Sequence, residues 1–369
     1  MRGPYVMKRK CLFAVILCIS VSTLTFAQKR PRNIIFMIGD GMGLAQVTAA
    51  LNAGNNHLNF ERLPVTGLSK TYSASHIVTD SGAGGTALSS GCKTNNAIVG
   101  MNADSLPVES LLAEAKRKRM STGVVVTSCL THATPASFLA HNINRRNYEQ
   151  IAKDMVHSSA DVMIGGGRVH FDRRSDSINY VDTLKAMGYR IATTIDECKS
   201  VQSDRLVGFI QDTTWTTNRE DQSEPWAQAP ERGDIHRQSV NVALELLRKN
   251  KHGFALMIEG SQIDWACHAN DYEYLLAEMA DFDRVIGLVL DFAQKDGNTL
   301  VVITADHETG GLTLAKDKND PSVFNPNFST TGHTGSMVPV YAFGPGAEVF
   351  GGIQENTEIK HKIDKLMGW

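Results

Sequence analysis

Seven side chains in this 369-residue sequence have types and spacings that could do chemistry together. Asp40 follows the apolar run 33–38, and Glu259 follows the run 254–258, with Asp264 and His268 close behind. Asp306 and His307 follow the run 299–304, and His333 lies in Thr331-Gly-His-Thr-Gly335 ahead of the run 338–343. Carboxylates gathered in one cleft raise one another's pKa, and a divalent cation relieves that repulsion. Mixed aspartate and histidine donors suit zinc, whereas all-oxygen sites suit magnesium. Asp264 and His268, four residues apart, share one face of a helical turn. A single Asp-His pair is ordinary surface decoration; seven such residues at the ends of apolar runs predict a metal centre.

A second candidate is Ser81, within Thr79-Asp-Ser-Gly-Ala-Gly-Gly-Thr-Ala87. The glycines allow backbone to approach an anion, and a helix opening there would aim its first amides and its positive end at Ser81. The bland alternative is a serine that only caps a helix. Other serine and phosphate motifs fail. No G-x-S-x-G elbow surrounds Ser81, and no Gly-Lys-Ser/Thr closes the glycine run as a Walker loop would. Gly39-Asp-Gly-Met-Gly-Leu-Ala45 follows an apolar run, but its glycines are out of register for a dinucleotide fingerprint.

The elements that must position these residues are legible as a pattern. Short apolar runs at 33–38, 123–127, 161–164, 254–258, 299–304 and 338–343 end in Gly, Asp, Glu or Ser, as buried parallel strands do. Helical periodicity separates them at 108–120, 148–157, 235–250 and 272–294. In the last stretch Leu275, Leu276, Met279, Phe282, Val285, Ile286 and Val289 keep helix spacing. Strands alternating with helices predict an α/β fold, a three-layer sandwich with a largely parallel central sheet flanked by helices. Ligands of such sheets bind at the carboxyl ends of the strands, where the candidate residues fall. The polar stretch at about 165–233 reads as an excursion from the sheet, and 315–329 as an exposed loop.

Six motifs, in order, resemble the motif series of the alkaline phosphatase family. They are Ile38-Gly-Asp-Gly-Met-Gly43, the Ser81 segment, His132-Ala-Thr-Pro-Ala136, Glu259-Gly-Ser-Gln-Ile-Asp264, Thr304-Ala-Asp-His-Glu-Thr-Gly-Gly311 and Gly332-His-Thr-Gly335. The resemblance implies a phosphate monoesterase that forms a phosphoserine on Ser81. It implies a first zinc on Asp264, His268 and His333. A second zinc falls to Asp40, Asp306 and His307, meeting Ser81 in the resting enzyme. A magnesium would be held by Asp40, Thr134 and Glu259. Arg145 would grip phosphate, and family members are commonly homodimers. Two positions depart from the best-studied bacterial pattern: His132 stands for an aspartate and Trp265 for a lysine. His132 would turn the third site away from magnesium. Trp265 either eases phosphate release or only packs beside its helix. Within the same superfamily a phosphodiesterase or nucleotide pyrophosphatase is the runner-up, and a silent zinc- or phosphate-binding module is the reading from a different class.

Composition sets the boundaries. Lys plus Arg (37) nearly balances Asp plus Glu (39), which speaks against a nucleic-acid partner. Lys8, Arg9 and Lys10 precede the uncharged run 11–27, which ends Thr25-Phe-Ala27 and reads as an export signal. Its removal leaves one chain of residues 28–369 with 33 basic and 39 acidic residues, a charge of −6, and no membrane segment. The expected location is the periplasm or outside the cell. Four cysteines remain, at 92, 129, 198 and 267, as disulfides or as buried thiols.

Overall fold

Successive residues of a strand face opposite sides of its sheet, so a strand apolar on both sides must be covered on both. Asn33-Ile-Ile-Phe-Met-Ile-Gly39 is such a strand: Ile34, Phe36 and Ile38 join one core cluster, Ile35 and Met37 another, and all five are fully buried. The computed structural model describes residues 30–158, 160–210 and 227–369. The export signal read at 1–27 and residues 211–226 of the polar stretch lie outside the described residues.

The strands are β1 (Asn33–Gly39), β2 (Val65–Lys70), β3 (Ser121–Cys129), β4 (Val162–Gly166), β5 (Arg190–Ala192), β6 (Leu206–Phe209) and β7 (Phe254–Gly260). They continue as β8 (Thr299–Thr304), β9 (Glu308–Thr309), β10 (Leu312–Lys316), β11 (Phe324–Phe328), β12 (His333–Thr334), β13 (Val338–Phe343) and β14 (Gly352–Glu355). Ten of them form one sheet in the order β14-β2-β13-β8-β1-β7-β3-β4-β6-β5, with helices on both faces. The expected α/β architecture, largely parallel, is what the chain adopts.

Two expectations need correction. The run at 338–343 is not parallel: β13 pairs antiparallel with both β8 and β2. The chain leaves β8 at the sheet's carboxyl edge, stays there through β9 and β12, and can re-enter the sheet only by running back. The stretch at about 165–233 is also not a simple excursion. It returns twice, as β6 beside β4 and β5 beside β6. Both strands are short, below the length at which a pattern can be read. The loop at 315–329 contains most of an antiparallel hairpin, β10 with β11, and is largely exposed as expected.

Helix ends follow local chemistry. Tyr272–Asp296 begins after Asp271, whose carboxylate accepts from the Tyr274 amide, and stops at Gly297 in the left-handed conformation. No helix among the described residues is long and apolar enough to cross a membrane. The four cysteines are free thiols, with Cys129, Cys198 and Cys267 buried.

Candidate active site

Each predicted ligand stands where a strand or a short edge element delivers it. Asp40 follows β1, Glu259 lies at the end of β7, and Asp306 and His307 follow β8. Asp264 and His268 ride the helix Gln262–His268 that β7 feeds. His333 arrives in β12, which pairs with β9 in a two-residue ladder. Their donor atoms converge in three groups: Asp264 with His268 and His333; Asp40 with Asp306 and His307; Asp40 with His132 and Glu259. In the first, His268 Nε2 and His333 Nε2 are 3.2 Å apart and Asp264 Oδ2 is 3.3 Å from His268 Nε2. In the second, His307 Nε2 is 3.2 Å from Asp306 Oδ2 and 3.6 Å from Asp40 Oδ1. Thr134 Oγ1 donates to Asp40 Oδ2 at 3.2 Å beside the third group.

Ser81 is the first residue of the helix Ser81–Ser90, not its cap; Asp80 caps it, accepting from the Ala83 amide at 3.0 Å. Ser81 is buried, with Oγ 3.3 Å from His307 Nε2. The glycines behind it serve close packing. A Cβ on Gly84 would lie 3.0 Å from the Asp306 side chain, and one on Gly85 would lie 2.9 Å from Ser137 Oγ. Larger residues would push the serine helix off the second donor group.

The electrostatics ask for cations. Burial, then Asp306, Asp264 and Glu259, raises the Asp40 pKa well above the carboxylate range. Burial raises Glu259 to about 8 and Asp306 to about 6, with neighbouring carboxylates adding to it. Asp264 goes the other way: burial would raise it, but the His268 hydrogen bond and the His333 charge prevail. Asp40 Oδ1, Asp306 Oδ2 and both Glu259 oxygens are buried with no hydrogen-bond partner. Orphaned carboxylate oxygens facing one another are strongly unfavourable unless a cation joins them. The donor sets fit divalent metal.

Arg145 Nη1 donates to Asp80 Oδ2 at 3.1 Å, and its Nη2 lies 3.5 Å from His132 Nε2. His132 is neutral: burial, then the Arg145 charge, lowers it to about 3. His132 lies in the third donor group, with Asp40 and Glu259. Trp265 is half-buried and meets the His132 ring edge to face at 5.9 Å. Cys267, beside His268, belongs to none of the metal-type groups; its Sγ faces Gln46 Nε2 at 3.7 Å.

Sequence reasoning passed over Asp80, Gln46, Glu308 and Thr309. Asp80 holds Arg145, and Gln46 Nε2 donates to Glu308 Oε1 (2.7 Å) and to the Thr309 carbonyl (2.9 Å). Each lies inside or beside one of the six motifs, which is the signal that could have found it. Their partners are distant in sequence.

A serine hydroxyl ringed by such donors at the carboxyl edge of a parallel sheet defines a hydrolase that handles anionic esters with the help of cations. The particular family follows from comparison: the family model described as "Alkaline phosphatase" matches residues 31–327, and the chain belongs to that family. Alkaline phosphatase 4 of Bacillus subtilis is 32% identical, the match covering 91% of this chain and 88% of that one. The structure of alkaline phosphatase from the Antarctic bacterium TAB5 is 42% identical, with a TM-score of 0.86 over 93% of this chain and 99% of that one. A variant of the TAB5 enzyme with glutamate in place of a histidine, 41% identical over the same shares and with a TM-score of 0.86, has magnesium bound in its M3 site. The chain is thus a hydrolase of a metal-dependent family that acts on phosphate monoesters.

Proposed function

We propose that this enzyme is exported and hydrolyses phosphate monoesters to an alcohol and inorganic phosphate through a phosphoserine on Ser81. The observation that carries this reading is the buried Ser81 hydroxyl, 3.3 Å from His307 Nε2 and set beside carboxylates whose oxygens lack hydrogen-bond partners. One zinc would rest on Asp264, His268 and His333, and a second on Asp40, Asp306 and His307 with Ser81. A third cation would rest on Asp40, Glu259 and Thr134, with His132 as an added donor that favours zinc over magnesium. A TAB5 variant in which a glutamate replaces a histidine has magnesium bound in its M3 site, which supports that reading. When bound, the paired cations would neutralise the transferring phosphoryl group and lower the pKa of hydroxyls they hold.

The chain's own residues do the rest. Ser81 Oγ, at a helix N-terminus, attacks phosphorus while the alcohol departs on the opposite side. Arg145 offers its planar fork to two phosphate oxygens, kept in place by Asp80. Water then attacks phosphorus in line, freeing phosphate and restoring the hydroxyl. Residues 1–27 as export signal, residues 28–369 as one unit and a homodimer complete the proposal.

The test is turnover of an aryl phosphomonoester against the matching diester, with Ser81→Ala alongside. The monoester should be faster, chelation should abolish turnover, and Ser81→Ala should cut it severely, ~10³-fold or more. A faster diester, full activity after exhaustive chelation, or unchanged turnover in Ser81→Ala would each overturn the corresponding part.

A further inference from the structure

Thr309 touches the ligand-bearing segments of both paired donor groups. It is fully buried in β9. Its hydroxyl donates to Asp264 Oδ1 at 2.5 Å, and the same oxygen lies 3.2 Å from His307 Nδ1. Its amide donates to the Gly41 carbonyl beside Asp40, and its backbone pairs with His333 across the β9–β12 ladder. Gln46 holds its carbonyl, while Glu308, the preceding residue, accepts from Gln46 and from Thr334 next to His333.

A hydroxyl has one proton. With that proton given to Asp264, the Thr309 oxygen can only accept from His307, which requires the proton of the imidazole on Nδ1. The Nε2 lone pair is then left facing Asp40, Asp306 and Ser81, the side on which a cation would be held. Partners behind ligating imidazoles fix their tautomer and ring orientation in this way. We propose that Thr309 is a positioning residue that sets the His307 tautomer and, through the same hydroxyl, orients Asp264, so that one side chain prepares both paired cation sites. The inference rests on the two-cation reading above.

The experiment compares wild type with Thr309→Val, which keeps the shape and loses the hydroxyl, and Thr309→Ser, which keeps the hydroxyl. Each protein is dialysed against buffers of fixed free zinc, and bound zinc is counted. In Thr309→Val at least one of the paired zincs should need 10- to 100-fold more free zinc to fill. Thr309→Ser should recover most of that affinity. Wild-type filling in Thr309→Val would overturn the inference. A second readout needs no mutation at Thr309: ¹⁵N-histidine spectra of zinc-loaded wild type should show the proton on His307 Nδ1, assigned by its loss in His307→Gln. A proton on Nε2 would overturn the inference even if Thr309→Val did not fold. Fewer than two zincs in wild type would instead sink the two-cation reading, an outcome distinct from either result for Thr309.

Discussion

Arg145 is braced before any substrate arrives. Asp80 holds one of its nitrogens, burial and Arg145 itself keep His132 neutral, and Trp265 stands where the best-studied bacterial pattern has a lysine. On the proposed reading, Arg145 is therefore the main side-chain cation for bound phosphate at this corner. A water-screened, part-exposed cation adds about 1 kcal/mol or less. Trp265→Lys should accordingly tighten inhibition by inorganic phosphate up to ~5-fold and slow turnover where release is limiting. Phosphate inhibition constants measure this directly; an unchanged constant would leave Trp265 as a packing residue against the His132 ring. The metal-type residues were legible because they sit near the ends of apolar runs, His333 ahead of one and the others behind one, so that residue type and place along the chain point to the same role. Asp80, Gln46 and Thr309 were not. An aspartate, an amide and a hydroxyl acquire their roles only from partners such as Arg145, Glu308 and Asp264, brought together by the sheet.

At the level of elements, the 33-residue connection from β8 to β13 keeps the chain on the carboxyl edge and supplies Asp306, His307, Thr309 and His333 from one excursion. No periodicity marks two-residue strands such as β9 and β12, and the antiparallel direction of β13 follows from this path, not from the apolar content of the strand. The central strands β1, β3, β7 and β8 could be read because they are apolar on both sides. Strands β2, β5 and β14 are edge or near-edge pieces with mixed burial and little apolar content. The long helix Tyr272–Asp296 shows a different gap. Its apolar spacing was clear, but it also buries Glu278 and Asp281, against which Arg232 donates at 2.6 and 2.9 Å. Glu278 also accepts from the Ala229 amide at 2.7 Å, and His236 Nδ1 lies 3.1 Å from Asp281 Oδ2, so the trio ties residues 229–236 to the helix. Removing one partner of such a buried set leaves charge without compensation. Arg232→Met should lose about 3–5 kcal/mol of stability in chemical denaturation. A loss under ~1 kcal/mol would mean that the carboxylates simply take up protons or water and the guanidinium is not what holds this join.

For the whole molecule, the buried donor groups make stability depend on pH and on metal together. In metal-stripped protein Glu259, raised to about 8 chiefly by burial, is neutral when folded and ionised when unfolded above its ordinary 4.5. Its contribution is present below that value and is lost as pH rises to about 8. His268 acts in the same direction. Burial lowers it, but the Asp264 hydrogen bond and charge prevail and raise it to about 9, so its stabilisation is lost between 6.5 and 9. His132 and His307, kept neutral chiefly by burial, have the opposite sign, yet their contribution is complete once unfolded histidine loses its proton near 6.5. Asp264, depressed, matters only as pH falls below its ordinary 3.8. Between about pH 6.5 and 9 the site therefore contributes only in the falling sense, at up to ~1.4 kcal/mol per pH unit for each titrating group. On the proposed reading, bound cations would take the place of the protons on Glu259 and Asp40 and remove the penalty, with affinity rising as those protons leave. Urea midpoints at pH 6.5, 7.5 and 8.5 should thus fall in chelator and stay level or rise with excess zinc. Equal midpoints in chelator across that range would mean that Glu259 is already ionised without metal, and that its burial does not create the demand for a cation on which the third-site reading depends.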